Sequence, residues 1–319
     1  MLRSFFSYLA KANWARKMVM GWSVAWRMAS RFIAGETIPD AIRAIQALNQ
    51  KGINATLDHL GENTATPEDA RKAMQDILDV LDAIQRAGVR ANVSIKLSQI
   101  GLNLDHNLCL EILEKILAKA KLSGNFIRID MEDSAVTQIT LDALVEMRKR
   151  GYSNVGVVIQ SYLFRSDEDI KKLIEQNIPV RLCKGAYLEP ASVAYPLKKD
   201  VDIAYDRLAD MLLTASAEEN RPRLSADGRF PPLPGLATHD EKRINHAKQM
   251  IEKLGLTKNG VEFQMLLGIR RELQEQLAKE GYAVRVYVPY GTEWYPYFMR
   301  RLAERPANVW FILLNFFRR

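Results

Sequence analysis

The sequence is poor in cysteine, in long apolar runs and in glycine-rich phosphate-binding turns. Only two of its 319 residues are cysteine, so a secreted scaffold held by disulfides is disfavoured and a reducing, cytoplasmic compartment is expected. No apolar run reaches the roughly 18 uncharged residues that a membrane-spanning helix needs. The chain also lacks a G-x-G-x-x-G motif and a Walker loop, which argues against an open dinucleotide-binding sheet.

Acidic residues are absent from the first 35 positions, where basic residues alternate with aromatic ones. We assign residues 1–50 to an N-terminal helical arm. Three interpretations of its charge stay open: packing on the body of the protein, binding to a membrane surface as an amphipathic helix, or targeting. The formal net charge of +7 favours acidic partners, which are phospholipid or nucleic acid.

Short β-branched apolar runs recur along the rest of the chain. They span residues 53–57, 91–96, 125–130, 155–160, 180–184, 236–238, 261–264 and 284–288. Helix-type segments separate them, and strands that alternate with helices imply a parallel sheet. Eight repeats predict an α/β fold, a distorted (βα)8 TIM-like barrel over residues 51–305.

Two segments fall outside this alternation. Residues 218–234 are rich in proline and are expected to form a surface loop. Residues 306–319 are strongly apolar, and we predict a C-terminal helix there, either packed on the barrel or in contact with a membrane.

Polar residues stand at the predicted carboxyl ends of the strands, where barrel enzymes bind their ligands. They include Asp58, His59, Lys96, Asp130, Gln160, Arg181, Lys184, Thr238, His239, Glu262, Gln264 and Tyr287. Such a ring is costly unless its charges meet one another or a ligand. No His-x-His or HExxH spacing is present, so we expect no metal site.

Lys96 has three interpretations. A lysine on a barrel strand forms a Schiff base when it is neutral, holds a carboxylate when it is charged, or pairs with Asp130 without contacting a ligand.

The segment 297–304 places Tyr297, Arg300, Arg301 and Glu304 on one stripe of a predicted helix. Two guanidinium groups on that stripe suit a small carboxylate, although a solvated helix with an internal ion pair has the same pattern. Upstream, Arg181 and Lys184 precede Gly185, a combination that suits phosphate or pyrophosphate, or a charged surface turn.

Taken together, these motifs resemble those of the monofunctional bacterial proline dehydrogenases. The resemblance covers nearly the whole chain, and its most specific parts are Lys184-Gly-Ala-Tyr187 and the block from Tyr287 to Glu304. It implies a distorted (βα)8 barrel that carries non-covalent FAD and oxidises L-proline to Δ1-pyrroline-5-carboxylate. It further implies a membrane quinone as electron acceptor, peripheral contact with the inner face of the cell membrane, a separate pyrroline-5-carboxylate dehydrogenase and no nucleic-acid partner.

The resemblance also implies roles for individual residues. Those expected to bind substrate are Lys96, Asp130, Leu266, Tyr287, Tyr297, Arg300, Arg301 and Glu304. Those expected around FAD are Gln160, Arg181, Lys184, Gly185, Ala186, Tyr187, Thr238 and His239. Glu62 is expected to join a gating ion pair with Lys198 or Lys199.

Two other functions compete with the dehydrogenase. One is a Schiff-base lyase or aldolase that uses Lys96. The other is a basic, non-enzymatic scaffold on a membrane surface, for which the ring of strand-end residues would be dispensable.

Overall fold

The computed structural model describes residues 23–61 and 64–304. Eight parallel strands form a closed barrel in sequence order, so each strand pairs with the next and β8 returns to β1. The strands are β1 Asn54–His59, β2 Ala91–Ile95, β3 Ile127–Ile129, β4 Val155–Gln160, β5 Val180–Cys183, β6 Pro234–Ala237, β7 Glu262–Leu266 and β8 Ala283–Tyr290. The predicted (βα)8 fold is therefore confirmed.

Ten α-helices lie in the described part of the chain. They are α1 Ser23–Ala29, α2 Ile38–Asn49, α3 Pro67–Ala87, α4 His106–Leu122, α5 Thr137–Lys149, α6 Ser166–Glu175, α7 Lys198–Ser216, α8 Glu241–Lys253, α9 Arg271–Lys279 and α10 Trp294–Glu304. None of these helices is long and apolar enough to cross a membrane.

The long helix α3 shows why the helices form where they do. Thr66 caps its first turn by accepting from the Asp69 amide, and the Asp69 carboxylate accepts from the Thr66 amide in return. Gly88, at φ 62°, ends it in a left-handed conformation that glycine adopts without strain. Its apolar stripe, which includes Ile77, Leu81 and Ile84, is buried in the main hydrophobic core.

The end of the arm packs against α10. Trp26 lies 5.4 Å from Trp294 between ring centroids, and Ile33 is buried in the same cluster as Phe298 and Leu302. Buried aromatic side chains contribute strongly to the stability of such a contact. The arm residues in this cluster therefore orient the helix that carries Arg300 and Arg301.

The segment 218–234 is only in part the surface loop that its prolines suggested, since residues 218–220, 226 and 227 are exposed. Residues 231–234 are buried, as is Gly228. The carbonyl of Gly228 accepts from Arg285 at 2.6 Å, and that of Arg229 accepts from Asn92 at 3.0 Å. The segment closes the amino-terminal end of the barrel because buried polar groups there need its carbonyls.

Three of the predicted features lie outside the described residues: the first 22 residues of the arm, Glu62 and the tail 306–319.

Candidate active site

A cavity of about 590 Å³ opens at the carboxyl end of the barrel. Every residue predicted to touch substrate or cofactor lines it, except Glu304. The backbone of Glu304 belongs to α10, but its side chain is not among those described. The structure thus places together residues that are more than 200 positions apart, while their individual roles stay predictions.

The inner wall of the cavity is a cluster of charges around Lys96. The ammonium Nζ lies 3.2 Å from Asp58 Oδ2 and 3.8 Å from Asp130 Oδ2. The interpretation that pairs Lys96 with Asp130 alone is therefore incomplete, because the shorter ion pair is with Asp58. The Tyr287 hydroxyl donates to Asp130 Oδ2 at 2.7 Å.

Burial and charge shift the pKa values of two groups here, Asp58 and Tyr287. Burial raises the pKa of Asp58; Lys96 offsets part of that effect, and the nearby Asp130 adds to it. Burial also raises the pKa of Tyr287 well above its usual range, and both carboxylates reinforce the shift. The phenol therefore stays protonated, and it remains a hydrogen-bond donor over the working pH range.

Arg181 lies deeper, at 7% exposure. Its Nε donates to Gln264 at 2.6 Å, and its Nη1 donates to Ser94 and to Asp130, each at 3.0 Å. A longer bond of 3.4 Å joins Nη2 to Thr56. Among the described residues these contacts occupy four of its five N–H groups, which leaves a donor for a ligand.

The outer wall carries Lys184, which donates to Asp202 at 2.5 Å and to Asp240 at 2.9 Å. Burial alone would raise the pKa of both carboxyls, but the hydrogen bonds and charge of Lys184 lower it, with help from Lys198. Next to it, Gly185 has φ 114°, and a Cβ there would lie 2.5 Å from the Tyr162 ring. Only glycine fits this close approach.

Across the cavity, Arg301 lies over the Tyr297 ring, 5.1 Å from its centroid. Tyr297 is 5% exposed, and Arg300 and Arg301 are half-buried. Leu266 completes this side, and its amide donates to His239 Nε2 at 3.0 Å. The wall therefore offers two guanidinium groups beside an aromatic and aliphatic surface.

Several cavity residues had no role predicted from the sequence. They include Thr56, Asp58, Met131, Val158, Cys183, Asp240 and Met265. Asp58 was visible as a polar strand end, yet nothing local indicated its pairing with Lys96. Glu262 was grouped with the mouth residues, and this was wrong: it does not line the cavity, because it starts β7 at 0% exposure and pairs with the buried Arg285.

The residues fit a flavin. The donor set combines a nearly buried guanidinium with one N–H to spare and a lysine ammonium beside a glycine turn. The apolar residues Met131, Val158 and Met265 line the same space. Such a set suits an acceptor-rich aromatic ring and a charged phosphate group.

Comparison with known proteins gives a consistent result. The family model "Proline dehydrogenase" matches residues 41–312. The chain is 44% identical over 292 residues to a proline dehydrogenase of Deinococcus radiodurans, covering 90% of this chain and 89% of that one. It is 39% identical over 313 residues to proline dehydrogenase 1 of Bacillus subtilis, covering 98% of each.

A solved structure shares the fold. Proline utilization A (PutA) from Bdellovibrio bacteriovorus, inactivated by N-propargylglycine, superposes with a TM-score of 0.77 at 24% identity. The match covers 88% of this chain but only 33% of that longer protein.

Proposed function

The chain belongs to the proline dehydrogenase family of oxidoreductases, and we propose that it oxidises L-proline to Δ1-pyrroline-5-carboxylate with non-covalent FAD. The observation that carries this proposal is the set of three cations, Lys96, Arg300 and Arg301, that line one cavity with Tyr287, Tyr297 and Leu266. A small amino acid with a carboxylate and an aliphatic ring complements such a set in both charge and shape.

The cations bind and orient the substrate. Each guanidinium can hold the proline carboxylate through paired N–H donors, and Lys96 adds a point charge. Leu266 and the two tyrosine rings pack on the pyrrolidine ring and exclude water. Holding the reacting carbon in place in this way can contribute several kcal/mol to lowering the barrier.

The acids around Lys96 fix the position of its ammonium group among the cations that would bind the carboxylate. Asp58 and Asp130 hold the ammonium between them, and Tyr287 fixes Asp130 by donating to it. An ammonium held by two carboxylates is stabilised as a cation, whereas a Schiff-base lyase needs a neutral amine. This arrangement disfavours the lyase, and in the proposed clamp Lys96 acts as a cation.

The cofactor would lie along the other wall of the cavity. Arg181 and Gln160 would face its ring system, and Lys184, Gly185, Ala186 and Tyr187 would hold its phosphates together with Thr238 and His239. When bound, FAD supplies the acceptor for the hydride that leaves the proline carbon next to the amine, and the electrons pass on to a membrane quinone.

Purification tests the proposal directly. We expect a yellow protein whose flavin absorbance is bleached by L-proline under anaerobic conditions and is not bleached by D-proline. In Lys96→Met, bleaching at a fixed low proline concentration should slow by about 100-fold, with flavin content unchanged. A colourless protein that borohydride links covalently to a carbonyl substrate at Lys96 would instead establish the lyase.

Membrane contact needs a separate test. Deletion of residues 1–22 retains Trp26 and Ile33, which pack with residues of α10. We expect this deletion to preserve activity with a soluble dye and to lower activity with a quinone embedded in anionic vesicles. Equal losses with both acceptors would remove the membrane role.

A further inference from the structure

A chain of buried hydrogen bonds runs along the barrel interior from its amino-terminal end to the cavity. Arg285 Nε donates to Glu262 Oε2 at 2.7 Å, and Gln264 Nε2 donates to the same oxygen at 2.8 Å. The other end of the Gln264 amide, Oε1, accepts from Arg181 Nε at 2.6 Å. Gln264 is 5% exposed and Glu262 is 0% exposed, so water does not compete for these contacts.

The chemistry of the partners determines which way the Gln264 amide points. An ionised carboxylate only accepts hydrogen bonds, and a guanidinium only donates them. The amide therefore turns its NH₂ group to Glu262 and its oxygen to Arg181. The reverse orientation would set oxygen against carboxylate and NH₂ against guanidinium, which costs both bonds.

Strand β6 lies between Gln264 on β7 and Arg181 on β5, and it leaves room for their contact. In the barrel register Arg181 on β5 pairs with Gly235 on β6, and Gly235 pairs with Glu262 on β7. A Cβ at position 235 would lie 2.5 Å from Gln264 Nε2 and 3.1 Å from its Cδ. Because Gly235 has no side chain, the amide can reach across β6 to the guanidinium.

We infer that Gln264 is a positioning residue that orients Arg181 toward the cofactor, held in turn by Glu262. The inference rests on the proposed function, in which Arg181 faces the ring system of the flavin. The bond from Gln264 fixes the Nε side of the guanidinium, while Ser94 and Asp130 fix Nη1. With both sides held, the plane of the group has one orientation.

The expected consequence is a shift in the reduction potential of the flavin. A cation beside the ring stabilises the reduced cofactor more than the oxidised one, because reduction adds negative charge. If the guanidinium turns away, reduction becomes less favourable and slower. Proline binding should be little affected, because Arg300, Arg301 and Lys96 form the carboxylate clamp.

Two variants weaken the contact in different ways. Gln264→Met keeps the shape of the side chain and removes both ends of the amide. Gly235→Ala keeps every polar group but forces the amide away, and position 235 is not among the glycines with positive φ. Asn154→Leu is the matched control, since it removes a buried amide that bonds to Leu117 and Asn125 carbonyls and is not part of this chain of hydrogen bonds.

The holoenzymes are compared by anaerobic redox titration, by stopped-flow reduction with saturating L-proline, and by FAD titration of the apoproteins. We expect both test variants to lose about tenfold in the equilibrium constant for reduction, or about 30 mV for a two-electron couple. Their flavin reduction should slow by roughly tenfold or more, with the dissociation constant for proline unchanged. The control should lose thermal stability only.

The outcomes separate the two proposals. A wild-type protein that holds no flavin, or whose flavin proline does not reduce, would overturn the proposed function together with this inference. A wild type that behaves as proposed, with Gln264→Met and Gly235→Ala indistinguishable from Asn154→Leu in potential and rate, would overturn the inference alone. If Gln264→Met does not fold, the potential of Gly235→Ala decides.

Discussion

The two ends of the barrel interior use the same residue types for different purposes. At the amino-terminal end Arg285 and Glu262 are almost fully buried, and the arginine is also bonded to the Ala55 and Gly228 carbonyls at 2.6 Å each. At the carboxyl end Arg300 and Arg301 are half-buried and line a cavity. Arg285 also borders this cavity, but it is 1% exposed and three of its N–H groups bond to the protein's own oxygen atoms. An arginine bonded in this way supports the fold, whereas a half-buried arginine beside the cavity can bind a ligand.

The largest expected effect is on stability, at the amino-terminal end of the barrel interior. Arg285→Met leaves the Glu262 carboxylate buried without its ion pair, which should lower the free energy of unfolding by about 3–5 kcal/mol. Urea unfolding followed by circular dichroism measures this. The double variant Glu262→Met with Arg285→Met removes both charges and should recover part of the loss.

The same substitution at the open end sharpens the comparison. Arg301→Met should lower the free energy of unfolding by about 1 kcal/mol or less, because the site is already half open to water. Equal losses of stability at the two positions would mean that the difference in burial does not determine how much each arginine contributes to the free energy of unfolding.

The next effect is on substrate binding. Arg301→Lys keeps the charge but loses the paired donors, so the KM for proline should rise about tenfold, which corresponds to about 1.4 kcal/mol. Steady-state kinetics with a soluble dye measure it. Arg43→Lys is the control, since Arg43 is a largely exposed arginine on α2 that pairs with Asp40. An unchanged KM in Arg301→Lys would contradict the clamp.

An effect of similar size or less is expected at Tyr287. Tyr287→Phe removes one of several hydrogen bonds to Asp130, so kcat/KM should fall by roughly tenfold, or about 1.4 kcal/mol at most. Tyr152→Phe is the control, because it removes a tyrosine–carboxylate contact on the outer surface of the barrel.

The pH dependence tests the same tyrosine. Burial raises the pKa of Tyr287 above the ordinary value of 10.0, so the phenol does not ionise as pH rises toward 10. The ratio of wild-type to Tyr287→Phe activity should therefore stay constant from about pH 8 to 10. A ratio that falls toward one near pH 10 would show that the phenol titrates normally.

The sequence predicted the barrel because strand and helix periodicities are local signals. It predicted most of the cavity because parallel strands in a closed barrel present their carboxyl ends on one side. Element boundaries were less accurate. Residues 125–130 were expected as a strand, but β3 is only Ile127–Ile129, since the Asn125 side chain bonds to the Ala91 carbonyl and the Phe126 amide.

The remaining differences involve partners far apart in the chain. Glu262 and Gln264 are two residues apart and both face inward, yet one belongs to the closed end and the other to the cavity. Which layer a residue occupies depends on the register with neighbouring strands, and no local pattern encodes it. The same is true of Gly228, whose proline-rich segment predicted a loop but not its position beneath the barrel.

The two cysteines give the mildest contrast between packed and open regions. Cys109 is buried on α4, and burial raises the pKa of its thiol to about 12. At pH 8 only about one such thiol in ten thousand is ionised, and the thiolate is the reactive form. Cys183 is half-buried and lines the cavity.

Maleimide should therefore label Cys183 in the native apoprotein and Cys109 only in urea, with a Cys183→Ser control to assign the product by mass spectrometry. Added FAD should slow labelling of Cys183, because the cofactor occupies the same cavity. Rapid native labelling of Cys109 would show that the barrel wall opens far more readily than its packing implies.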